Sequence, residues 1–219
     1  YKRTKKNFEY FKGRSGFGPY HTHLAETALL VEDYKFFGYI YDDLIEMDKA
    51  AENYVVYGIV EYQRVGNKVK AKELFNKAIE IDPSYWGAYK DRGATYLMTG
   101  NYSQGFRDSN KALSLKPDYA EAYNNRGLVY ANQGKNNKAI QDYTKAIDLK
   151  PDYDDAYSNR GLAYYQQGKY NKAIQDYTET IELKPDYADA YTNRGLAYAK
   201  QGKNKKANAD FQKAKDLKK

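Results

Sequence analysis

From residue 120 onward, apolar and small residues fall in blocks of about fourteen, spaced as on one face of a helix. In 120–133 (AEAYNNRGLVYANQ), Tyr123, Gly127 and Tyr130 recur at i, i+4 and i+7. The next block, about 137–150, repeats the spacing with Ala139, Tyr143 and Ala146. Gly134 between them supplies the left-handed conformation that ends a helix, and Pro151 stops the second block. The pattern predicts two helices, each roughly 20 Å long, with so short a turn between them that they pack antiparallel. Asp118, Asp152 and Asp186 follow a proline and are expected N-caps. Each has an acid three residues on (Glu121, Asp155, Asp189), a variant of the capping box.

This pair of blocks recurs at one fixed period. Pro83, Pro117, Pro151 and Pro185 are 34 apart, as are Gly66, Gly100, Gly134, Gly168 and Gly202, and again Gly93, Gly127, Gly161 and Gly195. Such periodicity marks a stacked-repeat architecture. The units are 52–85, 86–119, 120–153, 154–187 and 188–219. The period also places 15 of the 26 tyrosines in ladders, such as Tyr89, Tyr123, Tyr157 and Tyr191. Tyrosines at helical spacing, next to small residues such as Gly127, Ala139 and Ala146, read as packing between paired helices rather than as base-stacking platforms.

The unit pattern is aromatic at position 4, Gly or Ala at 8, Tyr at 11, Ala at 20, aromatic at 24, Ala at 27 and Pro at 32. It resembles the tetratricopeptide repeat over residues 52–219, and the Tyr-rich YNNRG, YSNRG and YTNRG segments look like bacterial members. The resemblance implies an all-α fold, a right-handed α-solenoid of antiparallel helix pairs. Units three and four match at nearly every position, with Thr180 where Ala is usual. Unit two departs at Gly105 and Ser109. Unit one has Ile59 where Gly is usual and Val55 where an aromatic is usual. Ile140, Ile147, Ile174 and Ile181 offer an apolar edge to the following unit. In the last unit Asn208 and Lys215 replace them, as expected of a final repeat with a polar outer face. Upstream, 21–51 reads as a degenerate helix pair and 1–20 as an irregular basic flank.

Charge adds one feature. The formal net charge is +7, but 1–20 carry +5 and 200–219 carry +6, leaving −4 for the stretch between them. A basic body of the kind nucleic-acid binders show is not expected, which argues against a nucleic-acid partner. The flank (Lys2, Arg3, Lys5, Lys6, Lys12, Arg14) could still touch anionic lipid or RNA. The absence of Cys removes disulfides, thiol nucleophiles and Cys-ligated metals. His21 and His23 are the only histidines, and no ligand set completes them. GRSGFG (Gly13–Gly18) has the spacing of neither a dinucleotide fingerprint, a P-loop nor a nucleophile elbow. Asn101-Tyr102-Ser103 is a glycosylation sequon on an expected turn. No catalytic constellation, cofactor motif or metal set is present, so a non-enzymatic role is expected. No apolar run reaches the ~18 residues of a membrane helix. The first residue is Tyr1, so residues upstream of it are expected to be missing; whether they held a signal, anchor or further domain is open, and either a cytoplasmic or an exported location fits.

In tetratricopeptide arrays the first helices line a concave groove, and several solenoids, including the repeat domain of the O-linked N-acetylglucosamine transferase, bind peptide there. The resemblance therefore implies a peptide-binding groove built from Lys90, Asp91, Glu121, Asn125, Leu128, Asp155, Asn159, Leu162, Asp189, Asn193 and Leu196. The Asn ladder can pair with an extended peptide backbone, or it can simply bond the neighbouring helix. The acids at 121, 155 and 189 either serve their own helices or lend the rim a negative field. Family members that clamp an acidic chaperone C-terminus use Asn, Lys and Arg where this chain has Ala94, Asp155 and Asn159. Lys90 and Asn125 do fit that pattern. An acid where a carboxylate must bind is repulsive, so a neutral or basic segment is the expected partner and the chaperone C-terminus is not. A homo-oligomeric scaffold joined through the N-terminal end is the alternative, or an adaptor tethered through residues 1–20. Finally, Arg92, Arg126, Arg160 and Arg194 should face Asp108, Asp142, Asp176 and Asp210 as salt bridges within each unit. Unit one has Gly58 and Leu74 at those positions.

Overall fold

The computed structural model describes Ile45 and residues 49–218, without the Arg64 side chain. The flank 1–20, including Gly13–Gly18, and the histidines lie outside the described residues. So does the helix pair expected over 21–51, but for Ile45 and 49–51. All described elements are helical: α1 (Ala51–Val60), a π-helical turn (Glu61–Val65), α2 (Lys68–Ile81), α3 (Trp86–Met98), α4 (Tyr102–Leu115), α5 (Ala120–Asn132), α6 (Asn136–Leu149), α7 (Asp154–Gln166), α8 (Tyr170–Leu183), α9 (Ala188–Lys200) and α10 (Asn204–Leu217). They form an all-α solenoid in two compact units, one ending at Thr99 and one starting at Gly100. None of these helices is long and apolar enough to cross a membrane.

The turns inside the helix pairs are made by the glycine ladder. Gly66, Gly100, Gly134, Gly168 and Gly202 all have φ between 71° and 78°. That region costs any residue with a Cβ. The helix starts differ from expectation. The N-caps of α5, α7 and α9 are Tyr119, Tyr153 and Tyr187, with no side-chain cap bond. Asp118, Asp152 and Asp186 each fall one residue earlier, in the loop after the proline, so the capping box does not form. The sequon likewise is not an open turn, because Tyr102 and Ser103 already belong to α4.

Packing in the second unit rests on one aromatic ring against one glycine per helix pair. Tyr143 and Tyr177 are 1% exposed. A Cβ at Gly127 would lie 2.6 Å from Tyr143 Cε1, one at Gly161 2.9 Å from Tyr177 Cε1, and one at Gly195 2.7 Å from Phe211 Cε1. Burial pushes the Tyr143 and Tyr177 phenols well above their ordinary pKa. The isoleucines make the next layer. Ile147 joins Ala146 to Ala156 and Tyr157 of the following pair, and Ile140 packs with Ala163. Ile181 joins Ala190 and Tyr191 of the last pair, and Ile174 packs with Ala197. Asn208 and Lys215 are exposed on α10.

The first unit corrects the sequence alignment by one residue. Gly58, not Ile59, takes the close-approach position, where a Cβ would lie 2.5 Å from Phe75 Cε1. Tyr54, four residues before it, is the aromatic that packs on this core, although Val55 is also buried there. Gly58 is eight residues from Gly66, whereas Gly127 is seven from Gly134. The π-helical turn at Glu61–Val65 absorbs the additional residue. Tyr57, before Gly58, stands where the other units have Arg. It is buried, and Lys70 Nζ donates to its hydroxyl at 2.5 Å and pairs with Glu61 at 3.3 Å.

The expected Arg–Asp pairs form in the second unit as two-point forks. Arg126 reaches Asp142 at 2.7 and 2.7 Å, Arg160 reaches Asp176 at 2.9 and 2.8 Å, and Arg194 reaches Asp210 at 2.9 and 2.8 Å. Each arginine also does something the sequence did not suggest. Its Nη1 donates to the second helix of the preceding pair, at Asn110, Thr144 and Thr178 respectively. Its plane lies over Tyr123, Tyr157 or Tyr191, 5.3–5.6 Å from the ring centre. Each guanidinium thus ties its own helix pair together and sets the pitch to the one before it.

Candidate functional site

The pitch set by these arginines places the first helices α5, α7 and α9 side by side, and the same positions recur on each. Asn125, Asn159 and Asn193 are half-buried. Leu162 and Leu196 are 43% and 42% exposed, large values for leucine. Leu128 is half-buried and packs against the cluster of Ala139, Tyr143 and Ala163. A polar ladder and an apolar ladder therefore run across one face of the second unit.

The three asparagines are not equivalent. Asn159 Nδ2 donates to Asn124 Oδ1 at 3.0 Å, tying α7 to α5. Asn124 is buried and also faces the Tyr153 hydroxyl. Asn125 and Asn193 make no side-chain hydrogen bond among the described residues. The difference follows from the residue at unit position 5 in the preceding unit, which is Asn124 for Asn159 but Ser158 for Asn193.

The acids at the rim have cationic neighbours. Glu121 lies 3.6 Å from Lys150 Nζ, and Asp189 lies 2.8 Å from Lys218 Nζ. Partial desolvation, then the neighbouring Asp154, raises the pKa of Asp155, with Lys184 and Lys150 opposing. The lysine that ends each second helix thus neutralises part of the negative rim. Lys90 and Asp91 lie on α3 in the other unit, where they pair with each other at 2.6 Å.

A further set of bonds locks the repeat spacing at the opposite ends of the first helices. Gln167 Nε2 donates to Asn137 Oδ1 at 2.8 Å, and Gln201 Nε2 donates to Asn171 Oδ1 at 2.6 Å. Their recurrence from repeat to repeat is visible in the sequence, but which helix each amide reaches is not. Among the described residues, no three acids or histidines converge to hold a metal ion.

Family models described as TPR repeat match residues 110–134, 129–168 and 161–202. Others described as tetratricopeptide repeat match 74–105, 51–85 and 188–219. No curated protein sequence matches the chain. Among solved structures, MamA is 30% identical, with a TM-score of 0.63, over 72% of this chain and 92% of MamA. YrrB, described as a TPR protein with an unusual peptide-binding site, is 24% identical, with a TM-score of 0.61, over 81% of this chain and 91% of its own. PilF of Pseudomonas aeruginosa is 23% identical, with a TM-score of 0.70, over 78% of this chain and 77% of its own. The matched segments run almost without a gap from residue 51 to 219, and with the helix pairs, glycine turns and ring-on-glycine packing described above they establish that the chain belongs to the tetratricopeptide repeat family.

Proposed function

We propose that this chain is a non-enzymatic interaction module, and that it binds an extended, neutral-to-basic peptide segment across the α5–α7–α9 face. The observation that carries the reading is the pairing of two ladders at one pitch. Asn125 and Asn193 present amides with no side-chain partner among the described residues, suited to a peptide backbone, beside the exposed Leu162 and Leu196, suited to its side chains. An Asn carboxamide donates and accepts, so it can satisfy both backbone groups of one extended residue. YrrB, similar in fold, is itself described as having a peptide-binding site, which supports the same use of the fold here.

The bonding pattern selects the variant. Asn159 also serves the fold through Asn124, whereas Asn125→Ala with Asn193→Ala removes no side-chain hydrogen bond among the described residues. A peptide array should give binders to the full chain. The double variant should weaken them at least about tenfold, or about 1.4 kcal/mol, with unchanged circular dichroism. Binding unaltered by the double variant and by Leu162→Ser with Leu196→Ser would refute the groove.

A further inference from the structure

Antiparallel pairing sorts the charges of the second unit onto two edges. Every turn inside a helix pair lies on one edge, and every loop between pairs lies on the other, about one helix length or roughly 20 Å away. The first edge carries Lys135 and Lys138, Lys169 and Lys172, and Lys203 and Lys206, all exposed. Among the described residues none of the six pairs with a carboxylate. Five of them meet Gln133, Gln167 or the rings of Tyr130, Tyr164 and Tyr198. The acids of the helix pairs nearest this edge, Asp142, Asp176 and Asp210, are buried and bound to arginine. The second edge carries Asp118 and Glu121, Asp152 and Asp155, and Asp186 and Asp189, all exposed but for the half-buried Glu121, together with Lys150, Lys184 and Lys218, of which Lys150 pairs with Glu121 and Lys218 with Asp189. Asp118, Asp152 and Asp186 have no side-chain partner among the described residues.

Both ladders recur once per repeat and are carried by the same stack of helix pairs. They therefore share one pitch, and a lysine edge laid along an acidic edge can match it at three successive repeats. We propose that the second unit associates with a second copy of this chain edge to edge, the lysine edge of one copy against the acidic edge of the next. The contact is heterologous, so the row of copies ends in a free lysine edge on one side and a free acidic edge on the other, and the assembly stays open-ended. Exposed ion pairs are screened by salt, so the association belongs to low ionic strength. The surface shares the rim acids Glu121, Asp155 and Asp189 with the groove but is centred on Asp118, Asp152 and Asp186 outside it, and the inference does not rest on the peptide-binding reading.

The test is sedimentation velocity of the full chain across a dilution series, at about 20 mM and about 300 mM salt, where the Debye length falls from roughly 20 Å to roughly 6 Å. The basic-edge variant is Lys135→Glu, Lys138→Glu, Lys169→Glu and Lys172→Glu. The acidic-edge variant is Asp118→Lys, Asp152→Lys and Asp186→Lys. All seven positions are exposed, and circular dichroism checks each fold. The expected result is wild-type mass that grows with concentration at low salt, with at least a tenfold weaker association at high salt. Each variant alone stays monomeric, and mixing the two restores association, because one then has two acidic edges and the other two basic edges. A wild-type chain that stays monomeric at low salt overturns the proposal. So does association that survives in either variant, or a mixture that stays apart. If the wild type is monomeric but an oligonucleotide or anionic vesicle binds it and not the basic-edge variant, the lysine edge is a polyanion site and the second copy is excluded.

Discussion

Removing one arginine from the ladder should cost more than removing the whole ion pair. Arg160 and Asp176 are the most enclosed of the three pairs, with side chains 17% and 4% exposed and two contacts under 3 Å. Burial raises the pKa of Asp176, although the Arg160 bond opposes it. The carboxylate is thus tolerated as an ion only because the guanidinium is there. Arg160→Leu leaves it buried and unpaired, and also removes the bond to Thr144 and the contact with Tyr157. Breaking a buried pair from one side costs about 3–5 kcal/mol. Partial exposure of the arginine puts the expectation near the lower end, about 3 kcal/mol, or about 6–12 °C in Tm for a chain of this size. Asp176→Leu should cost about 2 kcal/mol, since the guanidinium keeps its other partners and can reach water. The double change to Leu should cost only about 1–2 kcal/mol, giving a coupling of about 3 kcal/mol.

The assay is urea unfolding followed by circular dichroism for the four proteins, at pH 7 and again at pH 4. The sign of the pH effect is fixed by linkage. An acid whose folded pKa lies above its unfolded value contributes stability that is present below the unfolded value, near 4, and lost as pH rises through the folded one. Without Arg160 the folded pKa of Asp176 rises further, so the deficit of Arg160→Leu should be large at pH 7 and shrink toward pH 4. Losses that simply add, or a deficit independent of pH, would refute the reasoning. The Arg126–Asp142 pair, with side chains 22% and 9% exposed, should behave alike with a smaller coupling.

Three further outcomes follow from the packing. Gly127→Ala should destabilise by about 1–2 kcal/mol in thermal melts, because overpacking against the enclosed Tyr143 exceeds the helix-propensity gain of about 1 kcal/mol. Gly161→Ala, whose Cβ would have 2.9 Å rather than 2.6 Å, should cost less, and the reverse order would show that the ring can move aside. Gly134→Ala meets no neighbouring atom within 4 Å, yet should lose about 1 kcal/mol, because its φ of 71° is strained for Ala. Tyr143 and Tyr177 have folded pKa values raised above the unfolded value of 10, so their stabilisation is whole below pH 10 and lost as pH rises further. Stability should fall by about 1 kcal/mol per ring between pH 10 and 11, and their share of tyrosinate absorbance should appear only with unfolding. Titration of all the tyrosines in the folded chain near pH 10 would contradict this.

The repeat period was legible because each unit solves one packing problem with the same residues. A glycine that must turn left-handed, a proline that must stop a helix and a ring that must fill a glycine gap leave marks at fixed spacing. The Arg126–Asp142 pairing could be read for the same reason: two positions 16 apart face each other across any antiparallel pair turning at Gly134. The first unit was misaligned because its π-helical turn adds a residue without any proline or glycine to announce it. Only the seat of Gly58 against Phe75 shows the shift.

The sequence by itself determined the helices, their turns, the family and the faces on which polar and apolar ladders run, because these depend on local spacing alone. Tertiary structure decided which members of a ladder are free. Asn159 is bound because the residue it meets on α5 is Asn124, and Asn193 is not, because Ser158 on α7 is too short to do the same. The stacking of helices also turned the acids at 121 and 189 from caps into partners of Lys150 and Lys218, at the far end of the same repeat. It set the lysines beside the glycine turns and the acids after the prolines on opposite edges. A net charge of +7 hides that separation, since a sum along the chain is blind to which end of its helix each charge occupies.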